Sequence, residues 1–306
     1  MADRILVSVI TVSYNSSRFI RETIDSILAQ QYDHFEYLIC DDRSNDGTWE
    51  IINEYKDSRI RAYRNETNLG EYANRNKGVS LAKGGYLIFI DGDDLMYPHA
   101  LSVFVQYAVQ FPECGILIAR DWDDRIKCPY KLSPQELYRF AFFEGTILQN
   151  FTKLLFKTAV IKAEPFPLNI RSADSYMQLK IAQKYPVLII PDGLTWWRRR
   201  TGNATSALMG NSKIIAETTN YDIELLGENC PLSAEDIERA KTNIYGIFLR
   251  LLFWLVVKGK FSEALFLKER VKVPSNYFKS FFIPRKMGIY QHVTGDDPLH
   301  TPPSIG

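Results

Sequence analysis

Three polar stretches stand directly after apolar runs. Ser13-Tyr14-Asn15 follows the run from Ile5 to Val12, Asp41-Asp42 follows Phe35 to Cys40, and Asp91-Gly92-Asp93-Asp94 follows Tyr86 to Ile90. Carboxylates crowded into one crevice repel each other, and a divalent cation relieves that repulsion. Hard oxygen donors suit Mg²⁺ or Mn²⁺. Mg²⁺ takes one or two carboxylates and completes its coordination with water and substrate phosphates, so such a site asks for a phosphorylated substrate. Gly92 leaves room for close approach beside the carboxylates. Each stretch also has a plain structural explanation, since Asp-Asp after a strand commonly serves as a turn or a helix cap.

The elements that position these groups follow from periodicity. The apolar runs are rich in β-branched residues and read as strands buried on both faces. Ser16 and Ser17 open a helix whose apolar positions are Phe19, Ile20, Thr23, Ile24, Ile27 and Leu28. Trp49, Ile52 and Tyr55 mark another helix, Arg59 to Tyr63 a short strand, and Tyr72 to Ala82 a further helix ended by Lys83-Gly84-Gly85. Strand–helix alternation of this kind predicts an α/β fold with a parallel sheet, whose strand C-termini share one ligand-binding rim. Residues 112–200 are mixed, with a strand at Val187 to Ile190 and a helix from about Ser172 to Lys184. Ile237, Ala240, Ile244, Ile247, Phe248, Leu251, Leu252 and Leu255 form a helical stripe, and Phe261 to Arg270 a second helix. The expected division is a catalytic domain over 1–207, a helical region over 208–291 and a disordered tail over 292–306.

Bulk properties narrow the function. The chain has 306 residues, 46% hydrophobic and 24% charged, with a formal net charge of +1. No global field draws it to nucleic acid, so no nucleic-acid partner is expected. Four scattered cysteines, Cys40, Cys114, Cys128 and Cys230, form no metal-binding spacing and suit a reducing compartment. No signal peptide and no run of about 18 apolar residues is visible, so a cytoplasmic location is expected. Aromatic and basic residues mix from Leu251 to Lys286, as on a membrane-surface face. A small helical domain packing onto the catalytic one is the commoner meaning of such a stripe.

The stretches Val7 to Asn15, Phe35 to Thr48, Asn68-Leu69-Gly70 with Arg75-Asn76 and Gly78, and Gly85 to Asp94 together resemble the family 2 glycosyltransferases in order and spacing. That resemblance covers about residues 5 to 206. It implies the GT-A fold, a Rossmann-like, mostly parallel sheet flanked by helices, here with a C-terminal helical extension. By the same resemblance, Asp42 bonds the nucleobase, with Tyr14 and Val12 beside it. Arg75 belongs with the substrate-binding residues, and Asp91 lies near the ribose or a metal-bound water. Asp93 holds the metal, with Asp94 either a secondary ligand or a support behind the ligands. Asp174, at a helix start, resembles the catalytic base, although Ala173 replaces the usual acidic neighbour. Arg198 or Arg200 would contact the diphosphate, and Arg200 stands where the family usually has histidine; a solvated basic face is the plain alternative.

What the resemblance implies is inverting transfer, without a covalent intermediate, from a nucleotide-sugar. A UDP-sugar is favoured by analogy, with Mn²⁺ or Mg²⁺. The acceptor would be a saccharide or lipid-linked saccharide of bacterial surface polysaccharide synthesis. Two rivals stand beside it. An inactive sugar-nucleotide-binding module would explain Ala173 and Arg200. A metal-dependent phosphohydrolase would want a nucleophilic aspartate after the first strand, where Tyr14-Asn15 stands.

Overall fold

The computed structural model describes residues 4–120, 128–145, 147–168, 170, 173–198 and 212–283. The first four strands are β1 (Val7–Ser13), β2 (Phe35–Asp41), β3 (Ile60–Arg64) and β4 (Tyr86–Phe89). They pair in parallel in the order β3-β2-β1-β4, with Val7 opposite both Phe35 and Tyr86. This register brings Ser13, Asp41 and the residues after Phe89 to one rim. Strand alternation divides the core cleanly. Val7, Val9, Tyr37, Ile39 and Ile88 face one side, and Ile10, Leu38, Leu87 and Phe89 the other.

Helices cover both faces. The first face packs α1 (Ile20–Leu28) through Ile20, Ile24 and Ile27. Thr48–Glu54 forms α2, Glu71–Leu81 α3 and Ala100–Gln110 α4. α4 joins the first face through Leu101 and Phe104, and α3 packs Val79 on the second. Burial of this two-sided apolar layer is what holds the strand ends in fixed relation.

The other half of the sheet was not readable from periodicity. β6 (Ile116–Ala119), β7 (Tyr130–Leu132), β8 (Leu154–Lys157) and β9 (Val187–Ile190) extend the order as β4-β8-β6-β9-β7. β8 lies antiparallel to both β4 and β6. Runs of three or four apolar residues cannot be told from buried helix segments by spacing alone, which is why only β9 was anticipated. A two-residue strand, β5 (Leu95–Met96), pairs antiparallel with β10 (Thr195–Trp196). That small sheet draws the chain after β9 back to the segment after β4. The remaining helices here are α5 (Pro134–Arg139), α6 (Thr158–Ala163) and α7 (Ala173–Ala182). α7 agrees with the expected helix, whose expected first residue, Ser172, lies outside the described residues.

The C-terminal part consists of α8 (Ser212–Leu225), α9 (Ala234–Val257), α10 (Phe261–Arg270) and a 3₁₀ turn over Ser275–Phe282. Ser233 caps α9 by accepting the Asp236 N–H. Tyr221, Leu225, Ala240 and Ile244 join the core of the catalytic sheet. Ala216, Tyr245, Phe248, Leu267 and Val271 form a smaller core of their own. The helical stripe therefore does pack inward, as its period predicts. α9 also departs from one expectation. By length and composition it is apolar enough to cross a membrane, with a mean hydropathy of 1.4 and 28% of that window buried. Lys241 and Arg250 interrupt its apolar run, so a count of consecutive apolar residues misses it. All four cysteines are free thiols.

Candidate active site

The loops after β1 and β2 are stitched to each other. Asn15 adopts a left-handed φ of 52°, which asparagine tolerates better than most residues. Its N–H donates to Ser44 Oγ at 2.9 Å, and its Oδ1 accepts the Asn45 N–H at 3.0 Å. Ser16 N–H donates to Thr48 Oγ1 at 2.8 Å and Ser17 N–H to Asp46 at 3.0 Å. Tyr14 is left 52% exposed at the rim, with its ring open to a flat ligand. Val12 lies half-buried beside it, and its carbonyl accepts the Gly92 N–H at 3.2 Å. A Cβ on Gly92 would stand 3.0 Å from Ser16 Oγ and 3.1 Å from Ser13 Cβ. Glycine is needed there so that the loop after β4 can lie against the loop after β1.

The paired aspartates divide their work. Asp41 is wholly buried, accepting from the Ser44 N–H at 3.1 Å and from the Ser44 hydroxyl, with Arg64 Nε at 3.4 Å. It is the turn cap of the plain explanation. Asp42 accepts Asn65 Nδ2 at 2.8 Å, Leu69 N–H at 2.8 Å and Gly70 N–H at 2.9 Å. Those bonds fix the Asn68–Gly70 loop over the rim. Asp42 itself is almost wholly buried, at 3% exposure.

Asp91 is held from below. Arg75, 1% exposed, donates to Asp91 Oδ1 at 2.7 Å and to Glu71 at 3.1 Å. Its guanidinium lies 4.2 Å from the Phe151 ring centroid and 5.1 Å from that of Phe89. Burial works against its charge, but Asp91 and Glu71 outweigh this and hold its pKa above the ordinary range. Expected as a substrate contact, Arg75 instead reaches the rim only through Asp91, because its side chain is enclosed.

Asp94 takes the supporting one of its two expected places. It is 1% exposed, and its carboxylate accepts the Thr152 hydroxyl at 2.6 Å and the Arg198 N–H at 3.0 Å. Burial first, then the charges of Asp91 and Asp93, push its pKa well above the usual carboxylate range. It braces the loop rather than presenting an oxygen to a metal. Arg198 is equally committed. Its Nε donates to the Asp93 carbonyl at 2.9 Å and its Nη2 to Glu22 at 2.7 Å. Its guanidinium lies over Phe19 and Trp196, at 4.5 and 4.8 Å from their centroids. Arg200 lies outside the described residues.

Asp174 stands in the first turn of α7, and its Oδ1 accepts the Ser175 N–H at 2.7 Å. The neighbouring Ala173 N–H donates to Tyr72 Oη at 3.1 Å. Burial, Glu71 and Asp174 together push the Tyr72 hydroxyl upward, so Asp174, Tyr72 and Glu71 share one neighbourhood. The Tyr72 hydroxyl thus meets the backbone next to Asp174, and Glu71, its chain neighbour, pairs with Arg75, which holds Asp91.

Among the described residues no group of three or more His, Cys, Asp or Glu side chains is placed to hold a metal. Two half-buried carboxylates at the rim, Asp91 and Asp93, are the donor set that Mg²⁺ or Mn²⁺ uses when diphosphate supplies other ligands. The residues present fit such an ion. Thr152, Phe151, Tyr72 and Glu22 were not singled out from the sequence. Thr152 meets Asp94 across 58 residues, and no spacing rule exposes a contact of that range.

A mostly parallel sheet with helices on both faces and two carboxylates after its fourth strand is the arrangement of a GT-A glycosyltransferase. Residues 8–166 match the family described as glycosyl transferase family 2, and the chain belongs to it. It is 40% identical over 208 residues to an uncharacterized glycosyltransferase of Methanocaldococcus jannaschii, covering 64% of this chain and 71% of that one. Over 89 residues it is 46% identical to WfaP of Escherichia coli, a UDP-Glc:α-D-GlcNAc-diphosphoundecaprenol β-1,3-glucosyltransferase. That match spans 29% of this chain and only 36% of the relative's length. In fold it resembles S. aureus TarS 1-349 in complex with UDP-GlcNAc, at TM-score 0.65 and 19% identity, covering 90% of this chain and 81% of that one. It also resembles the Pyrobaculum calidifontis mannosyltransferase PcManGT in complex with GDP-Man and Mn²⁺, at TM-score 0.61 and 19% identity, covering 89% and 77%.

Proposed function

We propose that the chain transfers a sugar from a UDP-sugar to a hydroxyl of a saccharide or lipid-linked saccharide acceptor, inverting the anomeric carbon, in surface polysaccharide synthesis on the cytoplasmic side. Residues 1–207 would carry the catalysis, and 208–291 the helical extension. What supports this is that Tyr14, Asp42, Asp91 and Asp93 follow three strands that end at one rim, with Asp174 opening α7 next to the residue that meets Tyr72. Two of the similar proteins, by their names, handle UDP-sugars.

Tyr14 offers its exposed ring to the nucleobase, and Asp42 takes a base N–H once donor binding uncovers one of its oxygens. Asp93, with Asp91 beside it, would hold the divalent cation. When bound, that ion neutralises the charge that develops on the leaving diphosphate. Arg75 keeps Asp91 aimed at the rim, while Asp94 and Arg198 keep the Asp93 loop fixed. Such preorganisation spares the reorganisation otherwise needed as charge develops. Asp174 accepts the proton of the acceptor hydroxyl. The hydroxyl oxygen then bonds to C1 of the sugar as the C1–O bond to the diphosphate breaks, and the nucleoside diphosphate leaves. Attack opposite the leaving group reverses the configuration at C1.

Incubation with UDP-sugars and a panel of saccharide acceptors, followed by NMR of the product, tests this. The expected product from an α-linked donor carries a β-linkage. An α-linked product would contradict inversion and the role of Asp174.

A further inference from the structure

The last turns of α9, the start of α10 and the Ser275–Phe282 turn carry a second surface, remote in sequence from the rim. Phe253, Trp254, Val257, Phe261, Phe278 and Phe282 are all more than half exposed, Phe282 at 81%. Their rings are not scattered. Phe253 lies 6.2 Å from Trp254 and 5.5 Å from Phe281, and Phe281 lies 5.0 Å from Phe282. Phe261 and Leu265, one helical turn apart, add a further exposed apolar strip at the start of α10.

The fold holds this patch outward. Arg250 Nη1 donates to the carbonyls of Ser280, Phe281 and Ile283 at 3.2, 3.3 and 2.9 Å. Gly246 lets the turn approach α9 closely, since a Cβ there would stand 2.7 Å from the Ser280 carbonyl oxygen. Tyr277 is fixed as well, its hydroxyl donating to Glu238 at 2.6 Å. A 3₁₀ turn anchored at Ser280, with its aromatics facing water, is a built feature rather than a loose end.

Charge points to the occupant. Between Phe253 and Ile283 six basic side chains, Lys258, Lys260, Lys268, Arg270, Lys272 and Lys279, stand against two acidic ones, Glu263 and Glu269, in a chain whose net charge is only +1. All six are exposed. Lys260 pairs with Glu263 at 3.0 Å, which leaves the segment that carries the aromatics basic. An aromatic-rich segment of net positive charge is complementary to an anionic bilayer: rings enter the headgroup–acyl boundary, and cations meet the lipid charge. A face that pairs with a second copy would set these six cations against six more. We propose that this surface seats the chain on an anionic lipid bilayer, as a peripheral contact separate from the nucleotide rim.

The test is co-sedimentation of the full chain with phosphatidylglycerol–phosphatidylcholine vesicles, and with phosphatidylcholine alone, at low salt. The double variant Trp254→Ser, Phe282→Ser alters exposed side chains only, so its fold is checked by circular dichroism and its rim by UDP binding. Wild type should pellet with the anionic vesicles and be released by salt. The double variant should partition roughly tenfold less while binding UDP unchanged. Wild type left in the supernatant would overturn the proposal, as would a double variant that pellets equally well. A wild-type dimer in sedimentation equilibrium that the double variant dissolves would instead assign the face to a second copy. Vesicle binding seen only after removal of residues 284–306 would assign it to the chain's own C-terminal segment.

Discussion

The two sides of the rim are built differently. On the side of β1 and β2, loops after adjacent strands are tied to each other across 27 to 30 residues, Asn15 to Ser44 and Asn45, Ser17 to Asp46, and Asp42 to Leu69 and Gly70, with Asp41 tied to Ser44 only 3 residues on. On the side of β4, the ties reach from 16 to 105 residues away. Arg75 of α3 holds Asp91, Thr152 holds Asp94, and Arg198, after β10, ties down the Asp93 carbonyl. The β1–β2 side is an assembly of neighbouring loops, whereas the β4 side takes two of its three ties from the other half of the sheet. Damage on the second side should therefore spread from chemistry into stability, and damage on the first should stay local.

The largest effect is expected at the base. Asp174→Asn should leave UDP affinity unchanged and lower kcat by about 10²–10⁴-fold, the usual worth of general-base assistance. Full turnover in that variant would remove Asp174 from the reaction. Next comes Asp91→Ala, which leaves the enclosed Arg75 with only the half-exposed Glu71. Breaking a buried pair costs about 3–5 kcal/mol, and because Asp91 is itself partly exposed roughly 2 kcal/mol is expected here, read as a lowered denaturation midpoint. Thr152→Val should cost about 1–2 kcal/mol, because Asp94 loses its hydroxyl donor while remaining buried. It should also raise KM for the donor, since the loop is less fixed. An unchanged denaturation midpoint in both variants would erase the contrast between the two sides.

The smallest effect belongs to the local side. Burial opposes the charge of Asp46, but bonds from Thr48 and Ser17 overcome it and lower its pKa to about 2. A carboxylate whose folded pKa lies below its unfolded value of about 3.9 stabilises fully above that value and loses the contribution as pH falls toward 2. Asp46 is exposed, so Asp46→Asn should cost under about 1 kcal/mol at neutral pH. The difference from wild type should vanish near pH 2, as followed by urea denaturation at several pH values.

The same contrast explains what could be read from the sequence. Buried parallel strands with helices between them leave long β-branched runs and clear punctuation, so β1 to β4, α1 to α3 and their terminal motifs were legible. Tyr14, Asp91 and Asp93 stand partly or largely exposed after β1 and β4, whereas Asp42, after β2, is 3% exposed. What supports them was not legible. β6 and β8 are four residues each, and their pairing is set by the closed sheet rather than by any local period. Arg75, Asp94 and Arg198 carry the right charge for substrate or metal contact, and their motif positions alone gave no sign that each is enclosed. Side-chain type fixes what a residue can do, whereas burial decides what it is free to touch.

The most direct test is calorimetric titration of UDP into wild-type protein and Asp93→Ala, each with and without Mn²⁺. The account predicts UDP binding by wild type that strengthens with Mn²⁺, and loss of the metal-dependent part in Asp93→Ala. UDP, GDP and dTDP all failing to bind the folded wild type, with or without Mn²⁺, would contradict it.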